Sequence, residues 1–273
     1  MAFDSTPALP GQSRRMSEAS SVIYEQPLNE RMRAFLRLEH LFTKATDLSD
    51  ATDTWSSRAA LDAIIDLLAL VGRMDLKSEL VKEMERQLGA LEALQSSPHI
   101  DTERLGEVLG RIRTTIESLR TADGSFGQEL KSNELINAVR QRNTIPAGTC
   151  DFDLPTFRYW LEGSPEQRSQ DLRRWLASFR LVHEAVDLSL SLIRSSTSPV
   201  AQSAPAGFFQ KTLDNSHPYV LVRVLVPVEL PCFTEISAGK HRFTVRFMEQ
   251  PSAEVRPAQT GSDVTFELAC CGL

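Results

Sequence analysis

Cysteine is scarce in this sequence, and its few thiols are irregularly spaced. The 273 residues contain four cysteines, Cys150, Cys232, Cys270 and Cys271. The chain has neither a CxxC pair nor a His/Cys pairing with the spacing of a zinc site. Four cysteines in this arrangement also do not suit the disulfide framework of a small secreted protein. We therefore expect reduced thiols in a cytosolic protein that holds no metal.

The chain also lacks the short motifs by which many enzymes are recognised. It contains no phosphate-binding loop GxxxxGK(S/T), no GxGxxG after a strand, no HExxH and no GxSxG. Asp151 and Asp153 form a close pair of carboxylates, but their position just before Pro155 predicts a helix cap. We therefore expect neither an enzyme nor a cofactor. A remote enzyme that uses Asp151 and Asp153 is an alternative.

Long apolar runs and an excess of basic residues are missing as well. No run approaches the roughly 18 apolar residues of a membrane-spanning helix, and residues 1–20 lack the apolar segment of a secretory signal. We expect no membrane association and a disordered tail over residues 1–20, which are rich in Ser, Pro and Ala. The formal net charge of −6 at pH 7 disfavours a general nucleic-acid binder, since such proteins are usually basic.

Helical periodicity dominates the chain from Pro27 to Arg194. The most regular stretch, Pro27–Ala45, places one broad apolar arc along a helix, made of Leu28, Met32, Phe35, Leu36, Leu38, Leu41, Phe42 and Ala45. Further helices are predicted over residues 55–71, 74–95, 101–120, 128–142, 155–161, 165–178 and 181–194. The aromatic side chains of the 155–161 helix are expected in the core. We predict a helical domain over residues 21–200.

After residue 200 the apolar period changes from helical to two. The segment 195–206, SSTSPVAQSAPA, has the composition of a linker. Apolar residues alternate in Tyr219–Val226, in His241–Met248 and around Val264–Leu268, and short connections favour antiparallel pairing. The predicted fold class is therefore α+β: an N-terminal helical bundle followed by a smaller antiparallel β domain over residues 201–273. The short strand Val22–Glu25 is expected to join that sheet.

Basic residues gather in three places. The first helix carries Arg33, Arg37, His40 and Lys44 within roughly 60° of one another, opposite its apolar arc, and only Glu30 lies close enough to neutralise them. The second group is Arg140, Arg142 and Arg158, and the third is Lys240, His241, Arg242 and Arg246. Arginine binds carboxylates through paired hydrogen bonds, so these groups predict docking of an acidic peptide. The alternatives are an ordinary solvated face and a nucleic-acid-binding regulator that uses the same basic stripe.

Four segments of the chain are long enough to be specific: YEQPLNERMRAFLRLEHLF, LINAVRQRNTIPAG with the nearby FDLPTFRYWL, KHRFTVRFM and FELACC. They resemble the ZapD family of bacterial cell-division proteins, and the match spans about Val22 to Cys271. The resemblance implies a cytoplasmic homodimer, located at midcell with the Z-ring, that has an α-helical and a β domain. It also implies binding to the C-terminal tail of the tubulin-like GTPase FtsZ.

In the family, basic residues of the first helix and of the β domain are implicated in contacting that tail, which here implies Arg33, Arg37, Arg73, Arg242 and Arg246. With the basic groups above, the predicted tail-binding set is Arg33, Arg37, Arg73, Arg140, Arg142, Arg158, Lys240, Arg242 and Arg246. A two-fold dimer would carry two copies of this set and could therefore bridge and bundle FtsZ filaments. Neither nucleic acid nor a membrane is expected as a partner.

Overall fold

The computed structural model describes residues 20–73, 75–96, 101–214, 216–239 and 241–273. These residues form two compact units. A helical unit contains residues 29–194 with Leu273, and a β unit contains residues 20–28 and 195–272. Of the predicted disordered tail, residues 1–19 lie outside the described residues.

Eight α-helices occur in the described part of the chain, which confirms the predicted helical N-terminal region. They are α1 (Glu30–Ser49), α2 (Thr54–Val71), α3 (Leu76–Ala93), α4 (Thr102–Thr121), α5 (Glu134–Arg142), α6 (Pro155–Leu161), α7 (Pro165–Ala177) and α8 (Arg180–Ser195). Helix α1 packs against α2. Most of the predicted apolar arc of α1 is buried, including Met32, Phe35, Leu38, Phe42 and Ala45.

Side-chain caps explain where several helices begin. The Asn29 side chain accepts a hydrogen bond of 2.8 Å from the Met32 backbone N–H at the start of α1. The single helix predicted over residues 128–142 is wrong, because the chain forms a 3-10 helix over Gln128–Ser132 and then begins again at α5. Asn133 causes this break: its extended backbone and its side chain, which accepts from the Ile136 N–H at 3.0 Å, cap the new helix.

The predicted cap of α6 is also wrong. The N-cap residue is Leu154, whose side chain makes no capping hydrogen bond. The Asp153 carboxylate instead lies 3.2 Å from the Arg142 guanidinium and 3.3 Å from the Cys150 sulfur. Pro155 at the first helical position needs no N–H partner, which is one reason that α6 can begin without a side-chain cap.

The β unit contains two antiparallel sheets. Its strands are β1 (Ser21–Pro27), β2 (Val200–Ala204), β3 (Phe208–Thr212), β4 (Leu221–Pro227), β5 (Phe233–Ala238), β6 (Arg242–Glu249), β7 (Ala258–Gln259) and β8 (Val264–Cys271). One sheet has the order β1-β4-β8-β2; in the other, β6 lies between β3 and β5 and also pairs with β7. The predicted strand at Val22–Glu25 does join the sheet, since Val22 pairs with Val226 in the β1–β4 register.

Alternating apolar residues of both sheets form one core within the β unit. Val222, Val224 and Val226 of β4 pack in a cluster with Phe243, Val245 and Phe247 of β6 and with Val264, Phe266 and Leu268 of β8. These are the faces that the period-two pattern predicted. The linker prediction was wrong for Val200–Ala204, which forms the edge strand β2 and pairs with β8 although its side chains are small or polar.

Candidate functional site

The basic stripe of α1, defined as Arg33, Arg37, His40 and Lys44, lies opposite the buried face of the helix. Arg33 forms an exposed ion pair with Glu30, with 3.2 Å between its Nε and Glu30 Oε1. Within the described residues, Arg37, His40 and Lys44 have neither a hydrogen-bond nor an ion-pair partner for their side chains. Arg37 and Lys44 therefore present cations that no side chain among the described residues binds.

Other charged residues of α1 are engaged in ion pairs with neighbouring helices. The Arg31 guanidinium contacts Glu79 at 2.7 Å and Glu83 at 3.0 Å. The Glu39 carboxylate binds Arg194 through two hydrogen bonds, one of them 2.7 Å long. Because Glu39 is occupied in this way, it does not neutralise the basic stripe.

The Arg31 contact also changes the acidity of its partner. Hydrogen bonds from Arg31, and then from Lys82, hold the pKa of the Glu79 carboxyl below its ordinary value of 4.5. Burial lowers the pKa of Arg31, but its hydrogen bonds to Glu79 and Glu83 outweigh this and raise it overall. This pairing holds α1 against α3 rather than offering a binding site.

Two further predicted arginines are exposed and unpaired within the described residues. Arg73 lies in the turn that follows α2, and Arg140 lies in the last turn of α5. The negative end of the helix dipole stabilises a cation at the position of Arg140, but it does not occupy the hydrogen-bond donors of the guanidinium.

Arg142 and Arg158, in contrast, are held in ion pairs, with carboxylates of the segment that joins α5 to α6 and, for Arg158, also with Glu162 at the end of α6. Arg142 Nη1 lies 3.2 Å from Asp153 Oδ1. Arg158 contacts Asp151 at 3.3 Å and Glu162 at 2.6 Å. An acidic peptide would have to compete with these carboxylates for either arginine.

On the β unit, the outer face of β6 carries Arg242 and Arg246 of the third basic group. Arg242 is exposed and has no side-chain partner among the described residues, whereas Arg246 lies 3.1 Å from Glu235 on the adjacent strand β5. Lys240 lies outside the described residues. The alternation predicted for this strand is confirmed, since Phe243, Val245 and Phe247 are fully buried on the opposite face.

Sequence reasoning missed Arg58 and misplaced Tyr159, which it expected in the core. The Arg58 guanidinium lies over the rings of Trp55 and Phe157, at 5.4 and 4.6 Å from their centroids, and donates to the Thr149 carbonyl at 3.1 Å. Phe157 is buried, as expected for a core residue, but Tyr159 is 83% exposed. The three-residue spacing between Trp55 and Arg58 aligns them on one face of α2, and this spacing could have predicted their contact.

No helix in the described part of the chain is long and apolar enough to cross a membrane. Within the same residues, no group of three or more His, Cys, Asp or Glu side chains is arranged to hold a metal ion.

Comparison with known proteins identifies a family. The family model ZapD, described as a cell division protein, matches residues 36–246. Proteins named cell division protein ZapD align over 92% of this chain: one from Methylococcus capsulatus at 44% identity, with 98% of its own length covered, and one from Nitrosomonas europaea at 35% identity, with 95% covered. A third, from Dechloromonas aromatica, is 36% identical over 92% of this chain and is covered in full.

Proposed function

The chain belongs to the ZapD family of cell division proteins, and on that basis we propose that it binds the C-terminal tail of FtsZ through basic residues and, as a homodimer, crosslinks FtsZ filaments. The observation that carries this proposal is a set of exposed cations, Arg37, Arg73, Arg140 and Arg242, whose side chains have no partner among the residues that the structure describes, on a chain whose formal net charge is −6. We place the protein in the cytoplasm, at midcell with the Z-ring.

Partner-free arginines are the better binding groups for a physical reason. An arginine that already holds a carboxylate must exchange one ion pair for another, so the net gain on binding is small. Arg37 or Arg242 can instead form new charge-assisted hydrogen bonds with an acidic peptide, and the five donors of a guanidinium suit a carboxylate in bidentate geometry. We therefore rank Arg37, Arg73, Arg140 and Arg242 above Arg33, Arg142, Arg158 and Arg246 as tail-binding residues.

Crosslinking is possible because a homodimer has two tail-binding surfaces. A homodimer carries two copies of each basic group, so it can hold tails from two filaments at once. A filament presents many tails, and binding through several weak contacts gives a far higher effective affinity than one contact alone. Neither a nucleotide nor a metal ion is required by this protein for such a mechanism.

Binding of a fluorescently labelled FtsZ tail peptide tests the proposal directly. We expect wild type to bind, and Arg37→Glu and Arg242→Glu to weaken binding. Arg180→Glu serves as a matched control, because Arg180 is an exposed arginine of α8 that already pairs with Glu184 at 2.8 Å. Equal loss in the control would show that overall charge, rather than these positions, determines binding.

Salt dependence gives a second criterion from the same assay. Interactions between exposed charges are screened over about 8 Å at 0.15 M salt and over about 3 Å at 1 M. Tail affinity should therefore fall steadily as salt rises through this range. Affinity that is independent of salt would contradict an electrostatic contact.

A further inference from the structure

The edge strands of the β unit differ in whether they carry charge. Apart from the two-residue strand β7, the edges are β1 and β2 in one sheet and β3 and β5 in the other. Edge strands expose unpaired backbone groups, and proteins commonly protect them with charged side chains. β1, β3 and β5 contain Glu25, Lys211 and Glu235, respectively. β2, with the sequence VAQSA, is the one of these four that contains no charged residue.

The outer side of β2 is unpaired in the described part of the chain. On its inner side all of its residues pair with β8, from Val200 opposite Leu268 to Ala204 opposite Val264. Only alternate residues of an antiparallel pair direct their backbone groups towards the neighbouring strand, so the other residues of β2 direct theirs outwards. These outward groups have no hydrogen-bond partner among the described residues. β2 can therefore accept one further strand.

Two side chains of β2 lie on the core face of the sheet but are not covered as core residues are. Val200 and Gln202 share this face with Leu268 and Phe266, which lie opposite them on β8 and belong to the core. Val200 is nevertheless 58% exposed. The half-buried amide of Gln202 has no hydrogen-bond partner among the described residues. An added strand would cover Val200 and could supply a partner for this amide.

A second copy of the chain suits this edge for an electrostatic reason. In a two-fold contact each edge strand meets its own sequence in the opposite direction. A strand with a charge near its middle, such as β5 with Glu235, would then bring like charges together. β2 has no charge, and the register that pairs all of its residues is centred on Gln202. That register places Val200 opposite Ala204 of the second copy and the two Gln202 amides, each with donors and an acceptor, opposite one another.

We propose that β2 pairs antiparallel with β2 of a second copy about a two-fold axis at Gln202, which joins two four-stranded sheets edge to edge. The five residues of β2 form a much smaller contact than the roughly 20–30 residues per side of a standard interface. The contact is therefore weak, and it is additional to the stable homodimer of the proposed function. Neighbouring homodimers on a filament would form it through their high local concentration. Only this setting on filaments rests on the proposed function.

Disulfide crosslinking of the full chain tests the pairing and its register. Opposite residues of an antiparallel pair have Cα atoms about 4.5–5.5 Å apart, within the range of about 4.4–6.8 Å that a disulfide spans. Under mild oxidation at about 100 μM protein, Gln202→Cys should therefore give at least about fivefold more disulfide-linked dimer than wild type. Wild type, whose four cysteines are free, sets the background.

Ser203→Cys is the matched control for the register. Ser203 would lie opposite Ala201 of the second copy, and its own counterpart would be displaced by two residues along the strand. The Cα atoms of the two introduced cysteines would then be more than about 7 Å apart, which is too far for a disulfide. This variant should therefore be linked no more than wild type.

Charge substitution at the axis tests the same contact without a covalent link. Gln202→Lys and Gln202→Glu each place like charges opposite one another, so each variant alone should associate more weakly than wild type. An equal mixture places opposite charges at the axis and should associate up to about fivefold more tightly than either variant alone. Sedimentation velocity at about 100 μM measures the association, and circular dichroism reports whether each variant is folded.

Three results would overturn the proposal. The first is that Gln202→Cys forms no more linked dimer than Ser203→Cys or wild type. The second is that the mixture of folded Gln202→Lys and Gln202→Glu associates no more than either variant alone. The third is loss of affinity for the FtsZ tail peptide in these variants, because the edge would then hold the peptide rather than a second copy.

Binding of the FtsZ tail peptide also separates this proposal from the proposed function. β2 contains none of the proposed tail-binding residues, so all of these variants should bind the peptide with wild-type affinity. If no form of the protein binds the peptide, the proposed function fails, while crosslinking of the protein alone still decides whether β2 pairs with its own copy.

Discussion

Arg142 and Asp153 form an ion pair across the segment between α5 and α6, with 3.2 Å between Nη1 and Oδ1. This contact links the end of one helix to the residues that precede the next. It also occupies a cation that the sequence predicted to bind an acidic partner. Arg140, two residues earlier on the same helix, has no such partner among the described residues. Neighbouring arginines of one predicted group therefore have different roles in the structure.

Alanine substitution should distinguish the two roles. Arg37→Ala and Arg140→Ala should each weaken binding of the FtsZ tail peptide about twofold to fivefold, as expected for loss of one exposed ion pair. Arg142→Ala and Arg158→Ala should change affinity less, because their carboxylate partners are within the chain. Fluorescence anisotropy of the labelled peptide measures the affinity of all four variants. Larger losses for Arg142→Ala and Arg158→Ala than for the other pair would contradict the ranking.

Gly127 and Gly110 should respond in opposite directions to substitution by alanine. Gly127 has φ +70°, and an added Cβ would lie 2.6 Å from the ring of Phe179. Gly127→Ala should therefore lower the free energy of unfolding by about 1–3 kcal/mol or more. Gly110 lies inside α4 with nothing within 4 Å of an added Cβ, so Gly110→Ala should raise the free energy of unfolding by about 0.5–1 kcal/mol. Urea denaturation compares the two variants with wild type.

Acid should weaken the contact between α1 and α3 through Glu79. Its pKa is lowered in the folded state by hydrogen bonds from Arg31 and Lys82, so the folded protein binds a proton at Glu79 less readily than the unfolded chain does. The stabilisation is therefore fully present above the ordinary pKa of 4.5 and is lost as pH falls through the lowered value.

Glu79→Gln provides the test of that pH dependence. The variant should be less stable than wild type at pH 7, and the difference should shrink as pH falls below about 4.5. Denaturant titrations at several pH values above and below this point measure the difference in the free energy of unfolding between the variant and wild type. Glu85→Gln is a control, because Glu85 pairs with Arg120 on the exposed side of α3. A difference between Glu79→Gln and wild type that stays constant with pH would exclude the linkage.

Periodicity is what made most of the fold predictable. The apolar arc of α1 and the alternation in β6 appear directly in the sequence, because one face of each element must be buried. Strand β2 was missed for the opposite reason: Val200–Ala204 contains Ala, Gln and Ser, which resemble a linker, and backbone pairing with β8 makes it a strand. The two helices within residues 128–142 depend on a single cap at Asn133.

The candidate site was less predictable because it depends on tertiary contacts. The sequence identifies Arg142, Arg158 and Arg246 as cations, but the partners Asp153, Asp151 and Glu235 are fixed by the course of the chain between α5 and α6 and by the β5–β6 register. The burial of the aromatic residues of α6 likewise depends on tertiary contacts, and the sequence alone predicted all of them to lie in the core. The hydrophobic pattern of the seven-residue helix α6 cannot show that Phe157 is buried while Tyr159 projects.

Co-sedimentation with GTP-assembled FtsZ tests the central claim most directly. The protein should pellet with wild-type FtsZ filaments and bundle them. It should fail to do so with FtsZ that lacks its C-terminal tail, and Arg37→Glu/Arg242→Glu should fail with intact filaments although it remains folded. Undiminished pelleting with tailless FtsZ, or no pelleting of the wild-type protein with intact filaments, would contradict the claim that this chain crosslinks filaments through their tails.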